Sequence, residues 1–146
     1  MAVRASSEVV IEAPPEAILD ALADIEAVTT WSTLHKDAEV LDRHPDGRPH
    51  HVRATVRLMG LADTEILEYH WGEDWVVWDA ASTLRQRGQH GEYNLTAVGE
   101  DKTRVRFDLI LDLAAPYPAF LVRRAKKTVL DVALQNLRDR VMADMH

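Results

Sequence analysis

The residues best suited to acid–base chemistry are a glutamate and a tyrosine four positions apart, with a second tyrosine further along the chain. Glu65 and Tyr69 lie in a segment of alternating polar and apolar residues, and Tyr93 lies in a later segment of the same kind. Alternate residues of a strand share a face, so Glu65 and Tyr69 should point the same way. A carboxyl group among apolar residues has a raised pKa and can transfer protons near neutral pH. These three are the candidate catalytic residues, although unpaired glutamates are more often hydrated, and that interpretation of Glu65 stays open.

Aromatic side chains accompany these residues. Aromatic walls with a few polar tips are typical of ligand pockets, and aromatic residues are also typical of a packed core. We predict that a ligand contacts these aromatics together with apolar residues of the strands and of the last helix: Trp31, Val56, Leu67, Tyr69, Trp71, Trp78, Tyr93, Phe107, Val129 and Ala133.

Other chemistries lack the residues or the spacing that they need. The chain has no cysteine, which excludes thiolate chemistry, and it has neither a glycine-rich phosphate loop nor a Gly-x-Ser-x-Gly motif. Its seven histidines show no familiar metal-ligand spacing, and His50 and His51 should point to opposite faces of a strand. A cross-strand pair of His70 and Asp79 is possible, and it would more often be a surface contact than a catalytic dyad. The sequence therefore predicts no metal site and no cofactor.

Charge is distributed unevenly along the chain. The formal net charge is −7, which argues against a nucleic-acid partner. Residues 116–146 nevertheless carry six Lys/Arg against three Asp/Glu, and four of these cations form a cationic run at Arg123, Arg124, Lys126 and Lys127. We interpret this run either as a solvated face or as a contact for anionic lipid headgroups. Transient contact with an anionic membrane is therefore a predicted interaction.

Hydrophobic periodicity predicts the elements that must position these residues. A first strand at Ser7–Ala13 is followed by a helix that begins at the two prolines before Glu16 and by a second short helical turn. From Lys36 onward the apolar period is two, most clearly at His51–Leu58, and turn residues separate six strands. The chain after Pro118 contains neither glycine nor proline and has apolar residues at helical spacing, which predicts one long helix.

The predicted order is β-α-α-β6-α, an α+β helix-grip fold in which a curved antiparallel sheet of about seven strands wraps the long C-terminal helix. No linker or repeat divides the sequence, so we expect residues 1–146 to form a single domain. The chain shows no secretory signal, and a cytoplasmic location is expected by default.

Several short motifs occur in a characteristic order over most of the chain. They are Glu12-Ala-Pro-Pro-Glu16, Leu22-Ala-Asp24, Trp31, Glu39-Val-Leu41, Leu67-Glu-Tyr-His-Trp71, Gly91-Glu-Tyr-Asn-Leu95, Thr103-Arg-Val-Arg-Phe107 and Phe120-Leu-Val-Arg-Arg-Ala125. Their order and spacing resemble the START-like, or SRPBCC, superfamily in its polyketide cyclase/dehydrase and lipid transport branch. The resemblance implies a deep cavity between sheet and helix for a lipid, sterol or polyketide. It does not imply one chemistry, because members include both carriers and aromatase/cyclases.

Three functional hypotheses follow. The first is a carrier or sensor that binds a hydrophobic small molecule such as a lipid, fatty acid or polyketide. The second is a polyketide cyclase or dehydratase in which Glu65, Tyr69 and Tyr93 transfer or orient protons. The third is an interaction module that uses arginines on the outer face of the sheet, at positions 53, 57, 104 and 106. Whether the chain is an enzyme stays open at the level of sequence.

Overall fold

A computed structural model describes residues 1–145 and shows seven strands and a long C-terminal helix. The strands are β1 (Ala2–Ile11), β2 (His35–Arg43), β3 (Pro49–Leu58), β4 (Leu61–Trp71), β5 (Trp75–Ala80), β6 (Gln86–Gly99) and β7 (Lys102–Leu113). Between β1 and β2 lie helix α1 (Pro15–Ala23), a 3-10 turn (Ile25–Ala27) and the short helix α2 (Val28–Trp31). The C-terminal helix consists of α3 (Ala119–Leu130), a π-helical segment (Asp131–Asn136) and α4 (Leu137–Asp144).

All seven strands form one antiparallel sheet in the order β1-β7-β6-β5-β4-β3-β2. Strands β2 to β7 pair with their neighbours in sequence, and β1 closes the far edge by pairing with β7. The α+β helix-grip architecture predicted from periodicity is therefore confirmed.

The first strand is longer at its start than its sequence pattern indicates. It begins at Ala2, not at Ser7, because β7 supplies a continuous hydrogen-bonding partner, with Ala2 opposite Asp112 and Ser6 opposite Asp108. Tertiary pairing of this kind outweighs a weak local preference for strand. The helix that follows begins as predicted, since Pro15 occupies its first turn, where the missing N–H costs no hydrogen bond.

The alternation that predicts the central strands corresponds to the two faces of the sheet. On β3, Val52 and Ala54 are buried, whereas Arg53 between them is exposed. A two-residue turn at Met59 and Gly60 joins β3 to β4, and both residues have positive φ values, 55° and 75°. Such a turn matches the twist of a hairpin and favours glycine. It fixes the register that sends the odd-numbered residues of β4 inward.

The core lies where α1 and the C-terminal helix pack together on the inner face of the sheet. Ile11, Ile18, Val105, Leu137 and Val141 are almost completely inaccessible to solvent there. This end of the fold is filled by aliphatic side chains, whereas the other end leaves space between the sheet and the helix. Among residues 1–145, no helix is long and apolar enough to cross a membrane.

Candidate functional site

A cavity of about 230 Å³ lies between the inner face of the sheet and the C-terminal helix. Strands β2 to β7 supply most of its wall, Val129, Val132 and Ala133 supply the helical side, and the segment from Leu22 to Leu34 borders another side. Most lining side chains are aliphatic or aromatic.

The structure brings together on this wall all of the predicted ligand contacts except Trp71: Trp31, Val56, Leu67, Tyr69, Trp78, Tyr93, Phe107, Val129 and Ala133. Trp71 is a correction to the prediction. Its indole N–H donates to the carbonyl of Pro49 at 2.8 Å, and the Arg48 guanidinium lies 5.3 Å from its ring centre. Trp71 shares the face of Tyr69, but it stands at the end of β4, beyond the cavity, where it contacts Arg48 and Pro49.

An aromatic row crosses the sheet beneath the cavity. Tyr69 on β4, Trp78 on β5, Tyr93 on β6 and Phe107 on β7 follow one another with ring centroids 5.6, 5.8 and 5.0 Å apart. Gly91 makes room for this row, because a Cβ at that position would lie 2.2 Å from atoms of the Trp78 indole. The glycine is therefore required for the close approach of the indole to β6.

Glu65 lies inside the protein, in the cavity wall, and is only 5% exposed. Its Oε2 accepts hydrogen bonds from the side-chain amides of Gln86 at 2.7 Å and Gln89 at 2.9 Å, and neither bond involves Oε1. Gln89 in turn accepts from the Trp78 indole N–H at 2.8 Å. Burial raises the pKa of Glu65, although the two amide hydrogen bonds oppose this effect. The result is a carboxyl group with raised proton affinity on a mostly apolar wall.

His35 is another ionisable group on the cavity wall, and the sequence pattern does not identify it. Asp63 and Arg85 also line the cavity. Its Nδ1 lies 2.6 Å from the Ser32 hydroxyl oxygen, and burial lowers the pKa of the imidazole to about 4. His35 is thus neutral at physiological pH. The strand pattern concealed it because an irregularity between His35 and Asp37 breaks the alternation that leads to buried Ala38.

The two candidate tyrosines differ in their hydrogen bonds. The Tyr93 hydroxyl donates to the backbone carbonyl of Ala133 at 2.9 Å, within the π-helical segment of the C-terminal helix. Tyr69 stacks on Trp71 at 5.7 Å between centroids and lines the cavity. Burial raises the pKa of both phenols well above the ordinary value, so both are neutral hydroxyls that can donate hydrogen bonds.

The Trp31 indole N–H is a buried donor without a hydrogen-bond partner among residues 1–145. Leaving such a group unsatisfied costs about 1–3 kcal/mol. Buried polar groups of proteins are nearly always paired, so this donor is an exception, and it belongs to a residue that lines the cavity.

Two other histidines, His70 and His90, and the acids that they contact lie away from the cavity. The proposed pairing of His70 with Asp79 is wrong, because Asp79 contacts His90 at 2.8 Å and His70 contacts Glu68 at 2.8 Å. The register places His70 opposite Val77, which explains the difference.

The outward-facing arginines and the cationic run are surface features. Arg53, Arg104 and Arg106 form ion pairs with neighbouring acids, which leaves less free charge for a partner. In the cationic run, Arg123, Arg124 and Lys127 are exposed, and Lys127 pairs with Asp131 at 2.8 Å. Lys126 is half-buried beside a small apolar recess between β1, β7 and the helix. Contact of this run with an anionic membrane stays a prediction.

Solved structures with the same fold include proteins from three bacteria. A START superfamily protein from Mycobacterium smegmatis is 23% identical, with a TM-score of 0.85 over 96% of this chain and 97% of that one. The Zhui aromatase/cyclase from a Streptomyces species is 11% identical, with a TM-score of 0.85 over 100% and 97%. A Thermus thermophilus protein is 22% identical, with a TM-score of 0.82 over 99% and 100%.

No curated protein matches the sequence. The sequence profile described as polyketide cyclase / dehydrase and lipid transport, however, matches residues 2–142, nearly the whole chain. The chain therefore belongs to the polyketide cyclase/dehydrase and lipid transport family.

Proposed function

We propose that the protein binds a compact, largely hydrophobic small molecule in the cavity, as a carrier or a sensor. The observation that carries this proposal is the cavity itself, whose wall is mostly apolar and includes a few polar groups. Sites of this composition bind apolar ligands and use the polar groups to orient them. The family assignment and the START-like fold support the same class of ligand.

The size and polarity of the cavity narrow the ligand further. Pockets for drug-sized ligands measure roughly 300–1,000 Å³, so a volume of about 230 Å³ suits a small ring system or a short chain. Glu65 lies on β4, and His35 lies two strands away on β2. The two residues are also displaced from each other by two positions along the strand direction. With strands about 4.8 Å apart, their Cα atoms are separated by roughly 12 Å. We propose that the ligand carries an oxygen function at each end, one for each of these two groups.

Two measurements test this proposal. The purified protein is extracted with organic solvent and the extract is analysed by mass spectrometry. The protein is also titrated with a short-chain fatty acid and with a bicyclic aromatic ketone, and binding is followed by the fluorescence of Trp31 and Trp78, which line the cavity. Val56→Phe, which places a ring in the cavity, should weaken binding of any ligand found by at least about tenfold. Thr55→Phe is the matched control, because Thr55 lies on the opposite face of β3 and contacts Thr64 there.

Either of two results would remove support from the proposal. The first is that no ligand is extracted and neither probe binds. The second is that Val56→Phe, with an unchanged near-UV circular dichroism spectrum, binds the ligand as tightly as Thr55→Phe.

A second candidate function rests on the buried carboxyl group. We propose as an alternative that Glu65 transfers a proton during cyclisation or dehydration of a polyketide-like substrate. In dehydration, a carboxylate removes the proton α to a ketone, and the β-hydroxyl group leaves as water when the proton returns to it. The raised proton affinity of Glu65 supports this role, and Tyr69 can orient the substrate oxygen. The Tyr93 hydroxyl is held by Ala133, so we assign it to shaping the wall.

The alternative is tested with a β-hydroxyketone, whose dehydration to the enone is followed by ultraviolet absorbance. Glu65→Gln keeps the size of the side chain and removes its acid–base function. If Glu65 is catalytic, this variant should lose about 100-fold or more of the rate while still binding the substrate. No acceleration by the wild-type protein, or equal rates for both proteins, would exclude the alternative and leave the binding proposal in place.

A further inference from the structure

Four histidines and two carboxylates gather on the outer face of the sheet, where β2, β3 and β4 run side by side. We call this group the histidine cluster, and its members are Asp42, His44, His50, His51, Glu68 and His70. The His50 ring is central: its centroid lies 4.2 Å from that of His44, 4.0 Å from His51 and 5.5 Å from His70. None of the six residues lines the cavity, so the cluster is separate from the proposed ligand site.

An irregularity in strand pairing creates this cluster. Asp42 pairs with His51, and the next residue, Arg43, pairs with Pro49, so His50 is an extra residue on β3 without a direct partner on β2. A bulge of this kind redirects a side chain. His50 and His51 therefore lie together, and the expectation that they point to opposite faces is wrong.

The donor atoms of the cluster are spaced for a metal ion. One atom from each of His50, Glu68 and His70 lies within 4.8 Å of the others, and the same holds for Asp42, His50 and His51. Zinc binds imidazole nitrogen and carboxylate oxygen at about 2.0–2.2 Å, so ligand atoms of a tetrahedral site are roughly 3.4 Å apart. Side-chain movements of about 1 Å would close either set around one ion.

Hydrogen bonds already orient several of these groups. Nε2 of His70 lies 2.8 Å from Oε2 of Glu68, so these two atoms share a hydrogen bond. Both atoms can also bind a metal ion. The His44 ring is fixed because its Nε2 donates to the backbone carbonyl of Tyr69 at 2.7 Å. A carbonyl only accepts, which leaves His44 with an unprotonated Nδ1 when neutral. Orientation of imidazoles by neighbouring acceptors is a feature of metal sites.

We propose that the histidine cluster is a surface site for a divalent transition-metal ion such as Zn²⁺ or Ni²⁺, with His50, Glu68 and His70 as protein ligands. Imidazole and carboxylate donors suit these ions. Asp42 and His51 form an adjoining set that shares His50. The ion would join β3 to β4 directly behind Tyr69, whose own side chain faces the cavity. This proposal replaces the expectation of no metal site. That expectation is based on the spacing of histidines along the sequence, whereas the cluster is formed by residues on neighbouring strands.

The test uses the full chain without a polyhistidine tag. Isothermal titration with zinc chloride, and separately with nickel chloride, should show saturable binding of one ion with a Kd below about 100 μM. His50→Ala and His70→Ala should each weaken binding by at least about tenfold. Even the loss of a residue that only hydrogen-bonds to a metal ligand reduces metal affinity by about this factor. His90→Ala is the matched control, because His90 is also a strand histidine on the outer face with two acidic neighbours, but it lies outside the cluster.

One further measurement and one further variant make the outcome decisive. Thermal unfolding should shift upward with Zn²⁺ in the wild-type protein and in His90→Ala, because an ion that binds the folded state stabilises it. Glu68→Gln, which changes no side-chain volume, should reduce this shift. The proposal is overturned if the wild type binds neither ion below millimolar concentration, or if His50→Ala and His70→Ala bind as tightly as His90→Ala.

Discussion

Replacing His35 with glutamine should remove an acid-sensitive contribution to folding. Burial at the cavity lowers the pKa of His35 from 6.5 to about 4 in the folded protein, whereas the unfolded chain retains the ordinary value. A group with a lowered folded pKa contributes stability above pH 6.5 that is lost as the pH falls toward 4. Each pKa unit corresponds to about 1.4 kcal/mol, so the free energy of unfolding should decrease by about 3 kcal/mol across this window. Glutamine can still contact Ser32 but does not titrate.

Urea unfolding of the wild type and of His35→Gln at pH 7.5 and pH 4.5 measures this contribution. The wild type should lose about 2.5 kcal/mol more than the variant between the two pH values. Comparing the two proteins cancels the titration of all other groups. Near-UV circular dichroism at pH 7.5 verifies that the variant keeps its tertiary structure.

His90→Gln provides a control of opposite sign. The hydrogen bond with Asp79 raises the pKa of His90, so its contribution is present below pH 6.5 and is lost as the pH rises. Between pH 7.5 and pH 4.5, the free energy of unfolding of this variant should therefore decrease by more than that of the wild type. Identical pH dependence of the wild type and His35→Gln would refute the reasoning, because it would mean that the imidazole is not held neutral by burial.

Three more results are expected. Glu65→Gln should gain stability relative to the wild type as the pH rises above 4.5, because burial raises the pKa of Glu65 and the folded state resists its ionisation; urea unfolding across pH measures this. Tyr93→Phe should lower the free energy of unfolding by about 1 kcal/mol through loss of the hydrogen bond to Ala133, measured in the same way. Gly91→Ala should cost about 1–3 kcal/mol in thermal unfolding and alter the near-UV signal of Trp78, whose indole the new methyl group would strike.

Alternation of apolar residues predicts the inner face of the sheet well. Val56, Leu67 and Phe107 reach the cavity wall because a strand buried on one face must keep one parity inward. Glu65 is assigned to the inner face by the same parity, but parity cannot show whether the carboxyl group is hydrated. Its burial depends on amide partners on β6, which are distant in sequence.

Irregular pairing limits what the pattern reveals elsewhere. His35 and His50 both lie beside register shifts, where the two-residue period no longer identifies the face of a side chain. Trp71 keeps the expected parity and still leaves the cavity, because the cavity ends before β4 does. Parity thus identifies a face, while the extent of a site along that face follows from how helices and loops cover it.

The pairing of β1 with β7 has a consequence for how the chain folds during synthesis. Ser6 lies opposite Asp108, so this edge of the sheet can close only after most of the polypeptide has been made. Strands β2 to β6 can form sequential hairpins earlier, but their inner face stays open until the C-terminal helix emerges. Contacts between such distant residues fold slowly, and exposed apolar strands favour aggregation in the meantime. Truncation of the last helix should therefore reduce soluble yield in cells much more than loss of a short surface loop.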